Sequence, residues 1–65
     1  MELVINGERK VLDVGTVYEV IDHYGLSNKT IVAEVDGVVL DKEQWASTAI
    51  KQGMKIELVH FVGGG

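Results

Sequence analysis

The chain has no cysteine. No disulfide can staple it, and a structural zinc site built on thiolates is excluded. Long apolar runs are missing too. The longest unbroken apolar stretches are a few residues, far short of the ~20 that span a bilayer. Proline is absent, and neither an internal repeat nor a linker is visible. Positive charge is scarce: six basic residues stand against ten acidic ones, for a net charge of −4. Those six (Arg9, Lys10, Lys29, Lys42, Lys51, Lys55) are scattered along the chain. They form no stripe that could neutralise a phosphate backbone, so nucleic-acid binding is disfavoured. An acidic domain tends instead to meet basic surfaces on protein partners. No signal peptide is read at the start, where Met1 is followed directly by Glu2 and a short strand-like run, so a cytoplasmic setting is expected.

What remains is one small domain. Sixty-five residues bury only about 60% of the surface that the unfolded chain exposes. Stability must come from one apolar core, and a composition 46% hydrophobic can supply it. Such a core has little room for a pocket of several hundred Å³, so the chain is not expected to be an enzyme.

The pattern reads as strand, turn, strand, helix, strand, turn, strand, irregular segment, strand. Met1 to Ile5 is mostly apolar, and Asn6-Gly7 is a strong hairpin signal, because both turn positions need positive φ. Leu3 and Ile5 share the face expected to point inward. Arg9 to Val14 is the return strand, on which either Leu12 and Val14 or Val11 point to the core. Thr16 with Glu19 three residues later forms a capping box. Val17, Val20, Ile21 and Tyr24 follow at helical spacing, and Gly25 closes the helix. Tyr18, Asp22 and His23 face away from that stripe. Ile31 to Val35 is a β-branched run, and Asp36-Gly37 signals a second hairpin before Val38 to Leu40. Asp41 and Gln44 suggest a short capped helical turn carrying Trp45, and Ala46 to Gln52 is ambiguous. Met54 to Val62 is the longest strand candidate.

The helix stripe needs a partner layer, so one helix must cover one face of a mixed sheet. Two hairpins flank the helix, a ββαββ pattern, and the last strand is expected beside the first. This α+β arrangement is the β-grasp, or ubiquitin-like, fold. Residues 1–62 are expected to form the domain, and 63–65 a flexible tail.

That tail is the candidate chemistry. Glycine averages about 7% of residues, so a closing run of Gly63, Gly64 and Gly65 is not expected of chance. Without side chains it can thread a narrow channel into another protein's site. The terminal carboxyl group, with an ordinary pKa of about 3.3–3.7, is an anion at neutral pH and can attack the α-phosphate of a nucleotide. If Ile56 and Leu58 face the helix, alternation turns Val59 and Phe61 outward. Together with Val62 they form a candidate partner-docking patch beside the tail. The competing sites are weaker. His23 and His60 are far apart with no clustered carboxylates, so no metal is expected. Asp36, Asp41 and Glu43 read as solvated loop residues. Thr16 and Glu19 have a capping role that removes them from any triad with Asp22 and His23.

The "INGE" hairpin, the "EVDGVVLDKEQWAST" stretch and the ending "IELVHFVGGG" together resemble the ThiS family, the sulfur carriers of thiamine biosynthesis. The likeness runs the length of the chain. Many members end in two glycines, and this chain ends in three. The resemblance implies that a ThiF-like adenylating enzyme uses ATP and Mg to activate the Gly65 carboxylate. A persulfide sulfur donor then converts it to a thiocarboxylate, and a ThiG-like thiazole synthase takes up the sulfur. Gly63 and Gly64 would thread the partners' active sites, with no cofactor resident on the carrier itself. The alternatives are the small subunit of molybdopterin synthase, a longer protein that usually carries prolines near its tail, and a non-covalent ubiquitin-like interaction module.

Overall fold

A computed structural model of the chain describes residues 1–61. Its elements are β1 (Glu2–Ile5), β2 (Glu8–Val11), α1 (Val17–His23), β3 (Ile31–Val35), β4 (Val38–Leu40), a 3-10 helix (Lys42–Ser47) and β5 (Lys55–His60). The five strands form one sheet in the order β2-β1-β5-β3-β4. β1 runs parallel to β5, and the other neighbours are antiparallel, so the sheet is mixed. The two expected hairpins are therefore present, and the last strand lies beside the first as the pattern requires. β5 joins the two hairpins from the centre of the sheet.

Both hairpins turn through residues in the left-handed region. Asn6 and Gly7 have φ of 50° and 81°, and Asp36 and Gly37 have 47° and 86°. Asparagine, aspartate and glycine tolerate this region best, and such turns match the natural twist of paired strands.

α1 begins at Thr16, whose hydroxyl accepts from the Glu19 amide at 3.2 Å. The Glu19 carboxylate does reach back, though to the Gly15 amide (3.2 Å) and the Thr16 hydroxyl (3.4 Å). The end of α1 is a Schellman closure. The Leu26 amide donates to the Ile21 carbonyl and the Gly25 amide to that of Asp22, with Gly25 at φ 71°. Ser27 donates to the Asp22 carboxylate at 2.9 Å, tying the following loop to the last turn.

α1 buries Val17, Val20 and Ile21 completely against the sheet. The sheet answers with Leu3 and Ile5 of β1, Ala33 and Val35 of β3, and Ile56 and Leu58 of β5. Each large side chain removed from water contributes roughly 1.5–3 kcal/mol before the cost of ordering it. Tyr24, the last residue of the expected stripe, caps the helix and stays partly exposed.

The return strand is shorter than Arg9 to Val14: β2 starts at Glu8 and ends at Val11. Leu12 and Val14 pack on the core while Val11 is exposed. The chain must leave the sheet there to reach the helix cap at Thr16. The ambiguous segment is resolved by Trp45 and Ile50, both buried. The Gln44 side chain accepts from the Asp41 amide at 2.9 Å, fixing the 3-10 turn that carries Trp45 inward. Ile50 and Val17 exchange backbone bonds with the opposite segment, to Gly15 and Thr48 respectively, which docks this stretch on the start of α1. The long final strand spans Lys55–His60, inside the expected Met54 to Val62.

Candidate functional site

The candidate site is the end of β5, from which the glycine run continues. Its position follows from how β5 is held. On one side, Val4 and Asn6 donate backbone bonds to the Met54 and Ile56 carbonyls. β1 then ends, but the Asn6 side chain continues its work: the Leu58 amide donates to Asn6 Oδ1 at 2.7 Å. On the other side β3 pairs with β5 over five residues, from Val35↔Ile56 to Ile31↔His60. The second turn adds a matching clamp. The Asp36 amide donates to the Lys55 carbonyl at 2.8 Å, and the Lys55 amide donates to Asp36 Oδ1 at 3.0 Å. Thus the first residue of each hairpin turn uses its side chain to grip β5. The grip extends to Phe61, whose amide donates to the Thr30 carbonyl at 3.0 Å.

Exposure changes along this strand. Ile56 and Leu58 are buried against α1, while Val59 and Phe61 are 51% and 53% exposed. The expected alternation is present, and among the described residues no neighbour covers these two side chains. Trp45, a possible cover, is 2% exposed and belongs to the core. Val62, Gly63, Gly64 and Gly65 lie outside the described residues, as does the boundary expected at 62/63.

The competing sites do not assemble. His23 packs edge-on against Tyr24, with ring centroids 5.1 Å apart, and no group of three or more potential metal ligands exists among the described residues. Thr16 and Glu19 serve the helix start, and Asp22 receives Ser27. Asp36, Asp41 and Glu43 are exposed, and Asp36 is engaged with β5. Among the described residues no helix is long and apolar enough to cross a membrane. Sequence reasoning assigned Asn6 and Asp36 only a turn role. An Asn or Asp at a turn position is a signal for side-chain bonding to backbone, but which strand it meets depends on the order of strands in the sheet.

Comparison with known proteins settles the family. The ThiS family model matches residues 3–65, through the third terminal glycine. The chain belongs to the ThiS family. It is 36% identical to the sulfur carrier protein ThiS of Bacillus subtilis over 53 residues, covering 82% of this chain and 80% of that protein. It is also 33% identical over 66 residues to the thiazole synthase of Paramagnetospirillum magneticum, where it spans all of this chain but only 20% of the relative. The fold agrees with the crystal structure of a ThiS protein from Geobacter metallireducens, at 29% identity, TM-score 0.81 and full coverage of both chains. A solution structure of a thiamine biosynthesis protein from the same organism matches with the same score and identity, covering all of this chain and 88% of the other. The β-grasp arrangement of this ThiS-family chain is thus shared with solved relatives.

Proposed function

We propose that this chain is a sulfur carrier of thiamine biosynthesis, acting as a cosubstrate and not as a catalyst. The observation that carries this reading is the family match through Gly65, joined to the 36% identity with a sulfur carrier. In the proposed cycle, an oxygen of the Gly65 carboxylate attacks the α-phosphorus of Mg-bound ATP on a ThiF-like enzyme, and pyrophosphate leaves. The terminal sulfur of a persulfide donor then attacks the acyl carbon and expels AMP. A thiol cleaves the resulting acyl disulfide, supplying two electrons, and the carrier leaves with a terminal thiocarboxylate. A ThiG-like thiazole synthase receives the sulfur in the cytoplasm. The relation of this chain to a segment of a thiazole synthase supports that partner, and the relatives' names favour the thiamine branch over molybdenum-cofactor synthesis.

The fold suits this role. β5 is bonded on both flanks, so the domain can present its end while the core stays closed. Val59, Phe61 and Val62 would seat the domain on its partner, and Gly63 and Gly64 would pass through a channel too narrow for side chains. The chain itself would hold no cofactor or metal.

The test is intact mass spectrometry after incubation with ATP, magnesium, the activating enzyme and a sulfur donor. The expected product carries sulfur in place of one oxygen at Gly65. An unchanged mass under conditions that load another ThiS protein would overturn the reading.

A further inference from the structure

The face of the sheet turned away from α1 carries a feature that tail chemistry does not explain. Glu34 on β3 lies directly opposite Glu57 on β5, and Val32 lies opposite Val59. Val39 on β4 stands opposite Glu34 on its other flank. Since Ala33, Val35, Ile56 and Leu58 are buried on the helix side, alternation places all five of these residues on the open face. Two carboxylates directly opposite one another repel and destabilise the sheet.

Among the described residues no close ion pair offsets that repulsion. Among the described residues the one salt bridge joins Lys10 to Glu8, away from this pair. Lys55 shares the open face two residues before Glu57, yet it forms no salt bridge with either glutamate. Meanwhile Val39, Val59 and Phe61 around the pair are each more than half exposed, at 60%, 51% and 53%. Covering those apolar side chains with a neutral surface would strip water from two like charges. An occupant that brings a cation removes that obstacle. A guanidinium fits better than an ammonium, because its planar fork donates to two carboxylates at once.

We propose that this face docks the thiazole synthase, with an arginine of that enzyme bridging Glu34 and Glu57 while apolar side chains beside it cover Val39, Val59 and Phe61. This rests on the sulfur-carrier reading and names the chemistry of its docking surface. Two observations select the occupant. In the Paramagnetospirillum protein a segment similar to this whole chain is part of a polypeptide named thiazole synthase, which links a carrier-like segment to that enzyme. The apolar end of the face also adjoins Phe61, after which the chain continues toward Gly65.

The experiment compares the wild-type carrier with the double variant Glu34→Gln, Glu57→Gln. It measures affinity for the thiazole synthase of the same genome by calorimetry at two salt concentrations, and the thermal midpoint of each carrier alone. The variant should bind about tenfold or more weakly, with a shallower salt dependence. Its own midpoint should rise by about 1–8 °C, because the opposed charges are gone. A purely structural pair would not move these two readings in opposite directions. Equal affinities would overturn the proposal while leaving sulfur carriage intact. So would an effect confined to adenylation by the activating enzyme, or to self-association measured by sedimentation. If the wild type neither binds the synthase nor acquires sulfur in the mass test, the carrier reading itself fails.

Discussion

Replacing Asn6 separates two things that this residue does at once. It sits at φ 50°, and its Oδ1 accepts the Leu58 amide at 2.7 Å in a partly buried setting. Asn6→Asp keeps both the acceptor and tolerance of the left-handed region, and should cost about 0.5 kcal/mol or less. Asn6→Gly keeps the backbone but leaves the Leu58 amide without its partner, at about 1–2 kcal/mol. Asn6→Ala loses the acceptor and adds about 1 kcal/mol for a side chain forced to positive φ, for a total near 2–3 kcal/mol. These are large fractions of what the domain has. Sixty-five residues at roughly 0.05–0.15 kcal/mol each hold about 3–10 kcal/mol. Urea unfolding followed by the fluorescence of Trp45, the sole tryptophan and a buried one, reads the series directly. The expected order of stability is wild type, Asp, Gly, Ala. If Asn6→Gly matches wild type, the Leu58 bond contributes nothing and the clamp on β5 is an incidental contact.

Other outcomes follow from the same structure. Ile21→Ala, at a fully buried site facing the sheet, should cost about 2–5 kcal/mol and leave a domain that is largely unfolded in mild urea, as circular dichroism would show. Thr16→Ala removes the acceptor for the Glu19 amide and should lower stability by about 1 kcal/mol, a drop of about 4–8 °C in thermal midpoint. Deleting Gly64 and Gly65 should leave the amide spectrum of residues 1–61 nearly unchanged while abolishing thiocarboxylate formation in the mass assay. A deletion variant that still acquires sulfur would place the reactive group elsewhere.

The elements themselves were readable because local signals and periodicity agreed. The Asn6-Gly7 and Asp36-Gly37 pairs, the Thr16 cap and the apolar spacing of Val17, Val20 and Ile21 each specify a conformation through near neighbours. The inward face of β5 was legible from Ile56 and Leu58 alone. What escaped was whatever depends on contacts between distant segments. Whether Val11 or Leu12 pointed inward turned on where the chain departs from β2 toward the helix. The second role of Asn6 required knowing that β5 runs alongside β1, fifty residues away in sequence. The facing of Glu34 and Glu57 is a matter of register between two strands, and neither glutamate stands out in the sequence. The glycine run stood out in the sequence as candidate chemistry, but the grip on β5 up to Phe61 did not.

The central place of β5 also has a mechanical side. A protein that draws on the chain's end pulls along the axis of this strand. The force is then shared by bonds to two neighbours and resisted in shear, so they must slip together instead of parting one after another like a zip. Such a domain can be held and tugged by its end without coming apart, which an end strand on the sheet's border would not allow.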